Sequence, residues 1–165
     1  MASTLSPEVL ALVEMGPIED LLLALLSEPL VGVNVQSLIE DDQTFPLLIV
    51  RRSGDWGDWA GDARMLDAGQ ISTHAYCAGI NSDADAALLS EAVRVVIRDS
   101  VNKVVPGKGH VTMQKMTQAP RRVADWASAT GPVQYADLPA GVQRYETVYT
   151  IEIRKPRNKP FPLTP

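Results

Sequence analysis

The sequence predicts an α+β domain: a mainly antiparallel sheet of about four to five strands, packed on one face by an N-terminal helix and a long central helix. Three observations predict it. Leu88, Leu89, Ala92, Val93, Val96, Ile97 and Val101 recur at helical spacing in the middle of the chain. Tyr145, Thr147, Tyr149, Ile151 and Ile153 alternate with Arg144, Glu146, Thr150, Glu152 and Arg154, the period of a strand, with Val148 the one exception. Short links between successive strand-like runs favour antiparallel pairing.

Residues Ser6 to Met15 and Pro17 to Leu26 read as helix interrupted at Gly16, with Ser6 as N-cap and Pro7 at the first helical position. Leu21, Leu22, Leu25 and Leu26 form one buried helical face, which Pro29 ends. Val31, Val33 and Val35 alternate with polar or glycine positions and predict a strand. A polar turn over Glu40 to Thr44 follows. Leu47 to Arg52 is a strand whose continuous apolar start predicts burial on both faces, with Pro46 at its beginning.

Ser53 to Ala63 reads as a loop, because three glycines and three aspartates occupy it, together with Trp56 and Trp59. Met65 to Ala78 is a long strand with Ile71, Thr73, Ala75 and Cys77 on one face and Ser72, His74, Tyr76 and Ala78 on the other. Ser82 is the expected cap of the central helix, with Asp85 in a capping-box-like position and Asp83 favouring the positive N-terminal end. Pro106-Gly107 is read as the turn that ends this helix. His110 to Met116 alternates weakly as a strand, and Arg121 to Trp126 has the pattern of a short helix within a proline-containing stretch. Gln143 to Arg154 is the last strand, one face packing on a helix and the other meeting water or a neighbouring subunit. Four prolines after Lys155 make residues 156–165 an extended tail. The expected division is an extension over 1–16, a domain over 17–155 and the tail.

Composition narrows the function classes. Hydrophobic residues make up 45% of the 165, enough for a core. Fifteen basic residues against twenty acidic ones give a formal charge of −5, which disfavours tight binding to phosphate backbones. Cys77 is the single cysteine, so neither an intrachain disulfide nor a cysteine metal cluster can form, as suits a reducing compartment. The early apolar run from Ile18 to Leu30 carries Glu19, Asp20 and Glu28 and falls short of the roughly 20 apolar residues a bilayer span needs. With no basic flank of a signal peptide, synthesis in the cytoplasm is the expectation.

The sequence offers no catalytic residue, no cofactor site and no metal ligand set. His74 and Cys77 have opposite strand parity, so they cannot converge on one ligand without a bulge. The run Pro106-Gly107-Lys108-Gly109-His110 lacks the upstream glycine and the Ser or Thr of a phosphate loop. Asp55, Asp58 and Asp62 share a loop, but their spacing is not that of a calcium loop and no Glu closes it. Trp56 and Trp59 either fold back on the core, bind a ligand or anchor an interface. The basic tail over Lys155 to Lys159 is either solvated or an arm that docks on a neighbour through Phe161 and Leu163. As an interface, the candidates are Trp56, Trp59, Asp55 and Asp58 in the loop, and Arg154, Arg157 and Phe161 at the end of the chain.

The order of these segments resembles the tail terminator proteins of long-tailed, siphovirus-type bacteriophages, especially those of actinobacteria. The resemblance runs from about Pro17 to Lys155. It is carried by the N-terminal helix before Val31-Gly-Val-Asn-Val, the strand Pro46-Leu-Leu-Ile-Val-Arg-Arg, a variable loop and the strand Ile71-Ser-Thr-His-Ala-Tyr-Cys-Ala. Asn81-Ser-Asp-Ala-Asp-Ala-Ala-Leu-Leu then opens the long helix, and Tyr135-Ala-Asp-Leu-Pro precedes the strand Tyr145-Glu-Thr-Val-Tyr-Thr-Ile-Glu-Ile-Arg. The segment before Pro17 and the proline-rich tail depart from the pattern.

The resemblance implies a subunit of a hexameric ring, without a catalytic centre, that caps the growing tail tube. Its implied partners are its own copies, the tube protein and the head connector, with genomic DNA passing through the lumen and no membrane. Its implied place is the head-proximal end of the virion tail, after assembly in the host cytoplasm. Two other readings stay open: a head-closure or tail-tube protein of the same particle, and a small-ligand-binding domain or enzyme using the Asp/Trp loop.

Overall fold

The computed structural model describes residues 4–11, 16–39, 43–55, 66–123 and 141–154. Within them the chain is α+β. In chain order it forms α1 (Pro7–Ala11), α2 (Ile18–Ser27), β1 (Asn34–Gln36), β2 (Leu47–Asp55) and β3 (Leu66–Cys77). There follow α3 (Ser82–Asp99), β4 (Val104–Val105), β5 (Gly109–Val123) and β6 (Gln143–Arg154). The strands form one sheet in the order β1-β2-β3-β6-β5-β4.

Strand periodicity decides which side chains face the helices. The β3–β6 register sets Ile71 beside Tyr149 and Ala75 beside Tyr145, so apolar positions of both strands share a face. Ile71, Ala75, Cys77, Tyr149, Ile151 and Ile153 lie there with Leu48 and Val50 of β2. Helix α2 covers this face over β1 and β2, and α3 covers it over β3 and β6. The leucine stripe of α2 is buried as its spacing predicts. Leu47 to Val50 are each at most 1% exposed, so the continuous apolar start of β2 is covered on both sides.

The sheet is larger and less uniform than the sequence suggests. It has six strands among the described residues, because two-residue β4 adds an edge with no periodicity to betray it. It is mixed, because β1 runs parallel to β2. A parallel neighbour needs a crossover of about a dozen residues, and the ten positions between Gln36 and Leu47 approach that length. Val31 is 89% exposed in a turn, which leaves only Asn34 to Gln36 paired.

Several local expectations are corrected. Ser53 to Asp55, expected to open a loop, belong to β2, across a register shift between Arg52 and Gly54. Ser82 is the buried first residue of α3 rather than its cap; Asn81 holds that position and no side chain caps the helix. Helix α3 stops at Asp99, and Pro106-Gly107 instead turns the β4–β5 hairpin, where Gly107 has φ +75°. Arg121 to Val123 are strand, paired with Glu146, Tyr145 and Arg144, not the start of a helix. By contrast, Ser6 Oγ accepts the Val9 N–H at 3.4 Å, the cap expected of it.

Candidate functional site

The residues that could meet a partner are arranged at the two ends of the sheet, and the face that no described helix covers carries a buried polar cluster. Strand β2 ends at Asp55, which pairs with Gly69, and β3 begins at Leu66, which pairs with Arg154. Arg154 is exposed, ends β6, and also pairs with His110 at the start of β5. The long β3–β6 ladder therefore makes two distant parts of the sequence leave from one end of the sheet. These are the tryptophan-bearing segment and the basic arm. Trp56, Asp58, Trp59, Arg157 and Phe161 themselves lie outside the described residues; Asp55 and Arg154 mark where their segments depart.

The opposite end carries an apolar cleft of about 320 Å³, which sequence reading missed. Val33 precedes β1, Phe45 and Pro46 precede β2, Cys77 and Ala78 close β3, and α3 contributes Asp85, Leu88 and Leu89. Leu88 was expected in the core because it follows the helical stripe. It is 68% exposed, one position round from buried Leu89. Ile80 and Val31, each two positions from a lining residue, are also exposed. Burial holds the Cys77 thiol up at about 11, reinforced by the Asp85 carboxylate, so it stays protonated at neutral pH.

The sheet face that no described helix covers is polar at its centre. The register aligns Ile49, His74 and Glu146 in one row and Leu47, Tyr76 and Arg144 in the next. Arg144 is 4% exposed and His74 5%, although Arg144 was expected to face water or a neighbour. The His74 and Tyr76 rings lie 6.5 Å apart. Burial lowers the His74 pKa to about 4; the Arg144 charge adds to this, Glu146 opposes it and Arg51 contributes further. Partial burial works to raise Glu146, but the balance falls below the usual carboxylate range. Arg121 donates to it through Nε at 3.1 Å and Nη2 at 2.8 Å, and Gln118 Nε2 at 3.3 Å. A histidine this hard to protonate is a weak base, and this carboxylate is already shared by two donors.

His74 and Cys77 fall on opposite faces, as parity requires: Cys77 joins the helix-side core, and His74 the polar rows. Among the described residues no group of three or more His, Cys, Asp or Glu side chains could hold a metal ion. No helix among them is long and apolar enough to cross a membrane. Alternation along β6 and β3 separately signals a polar face. Its convergence on His74 is invisible until the register is known. No protein-family model matches the chain, and no curated protein matches it in sequence.

Proposed function

We propose that this protein is a structural subunit that assembles with its own copies into a ring of the tail-terminator type. In this role six copies close the end of a phage tail tube and present a face to the head connector. Genomic DNA passes through the lumen without sequence-specific binding. One observation carries the self-assembly reading: the two segments suited to gripping another chain leave from one end of the sheet, while an exposed apolar cleft lies at the other. Contact between unlike ends is heterologous, and a heterologous contact that closes on itself makes a ring. The acidic balance of the chain suits a lumen through which DNA must slide. The terminator assignment itself is supported by the order of sequence segments.

The test is the mass of the full-length protein by light scattering after size-exclusion chromatography, joined to negative-stain images of the protein and of virions. The expected result is closed rings of uniform diameter, and the protein at the head-proximal end of the tail. A strict monomer that is missing from the head–tail junction overturns the proposal.

A further inference from the structure

The cleft and the arm lie at opposite ends of the same strand, and that distance decides whose cleft an arm can fill. β6 has 12 residues, and its first, Gln143, pairs with Cys77 of the cleft while its last, Arg154, starts the arm. At about 3.3 Å per residue the two ends stand roughly 36 Å apart. Phe161 follows Arg154 by seven positions and can travel at most about 25 Å, even fully extended. It falls short of the cleft on its own copy.

We propose that the arm of one copy, residues 155–163, docks on the next copy, seating Phe161 in the cleft walled by Val33, Phe45, Leu88 and Leu89. This deepens the self-assembly reading and rests on it. Two properties of the arm match the site. Its aromatic and aliphatic anchors, Phe161 and Leu163, suit a wall in which Leu88 is left 68% exposed. Its three cations, Lys155, Arg157 and Lys159, precede those anchors, and the cleft carries the carboxylate of Asp85. Nearby Asp83 already faces Arg122 at 3.3 Å. A short arm bound this way adds contact through tethering without another folded element.

The test uses two full-length variants, Phe161→Cys and Leu88→Cys, mixed in equal amounts under mild oxidation. Every cysteine variant carries Cys77→Ser, because the native free thiol of Cys77 lines the same cleft and would otherwise compete for the new cysteine. The expected product is a disulfide-linked pair containing one chain of each variant, formed in the mixture several-fold above either variant alone. In parallel, Phe161→Ala and Leu88→Asp should each shift the assembled mass toward monomer at a given concentration. If the wild-type protein forms rings, yet the mixed pair fails to cross-link and both substitutions leave the mass unchanged, arm docking is wrong and self-assembly stands. If a Phe161→Cys/Leu88→Cys double variant closes its disulfide within one chain, the arm belongs to its own copy and the inter-copy contact is overturned. A wild-type protein that stays monomeric at every concentration overturns both.

Discussion

Glu19 of α2 accepts the backbone N–H of Arg52 through Oε1 at 3.0 Å, and so occupies a donor on the edge of β2 that β1 is too short to reach. Open strand edges invite pairing with other chains, and a carboxylate bound to an edge amide blocks that pairing locally. Glu19→Ala should cost about 1 kcal/mol, the ordinary net value of one hydrogen bond. Urea unfolding of the two proteins measures it. An unchanged midpoint would mean that the amide finds water at no cost.

Gly69 sits where a side chain would strike the neighbouring strand. A Cβ there would come within 2.9 Å of Arg52 Nε. The Arg52 guanidinium donates to Asp67 at 3.2 Å and to the Ala68 carbonyl at 2.9 Å. Gly69→Ala should displace it, at a cost of about 1 kcal/mol, since the ion pair is partly exposed. In an Arg52→Ala background the same substitution should be neutral, so a double-mutant cycle gives the answer. Equal costs in both backgrounds would place the strain in the backbone instead.

His74 should make stability depend on pH over a defined window. Its folded pKa is lowered to about 4 from 6.5. The unfolded chain therefore takes up a proton that the fold refuses. The contribution is complete above 6.5 and is lost as the pH falls toward 4, with a slope of at most about 1.4 kcal/mol per unit. Glu146, whose pKa is lowered, adds a loss only below its ordinary value of 4.5. Urea midpoints between pH 7.5 and 5 should fall for the wild type and flatten for His74→Asn. A parallel decline in both would assign the effect elsewhere.

Leu88 and Leu89 are adjacent but should respond oppositely. Leu89 is 8% exposed and Leu88 68%. Leu89→Ala should cost about 2–4 kcal/mol, within the range for removing a buried leucine side chain, whereas Leu88→Ala should stay within about 0.5 kcal/mol. Thermal melts of the two variants read the contrast. A large loss at Leu88 would show that the cleft is filled within its own chain.

Weak attraction to nucleic acid is a further expectation. With a formal charge of −5, the protein should not retard duplex DNA at about 0.15 M salt, because few cations are available to displace counterions. Electrophoretic mobility shift with random-sequence DNA is the measurement. Micromolar retention that survives such salt would contradict a lumen through which DNA slides.

Much of this protein is local and so could be read along the chain. The leucines of α2, the stripe through Leu89, Val93 and Ile97, and the alternation of β6 each follow from one element having one buried side. The opposite facing of His74 and Cys77 follows equally from strand parity. The parallel placement of β1, the two-residue β4 and the conversion of Arg121 to Val123 into strand were not legible. They depend on which segment lies alongside, and a short or exposed strand carries no period of its own. The same limit hid the candidate site. Arg144 is polar by sequence and buried by neighbours, while Leu88 is apolar by sequence and left bare because the cleft opens over it. Composition and periodicity determined the elements and their inward sides. Only the tertiary register, which trades backbone partners between residues up to 88 positions apart, as at Leu66 and Arg154, decided that the segments following Asp55 and Arg154 share one end and the cleft the other.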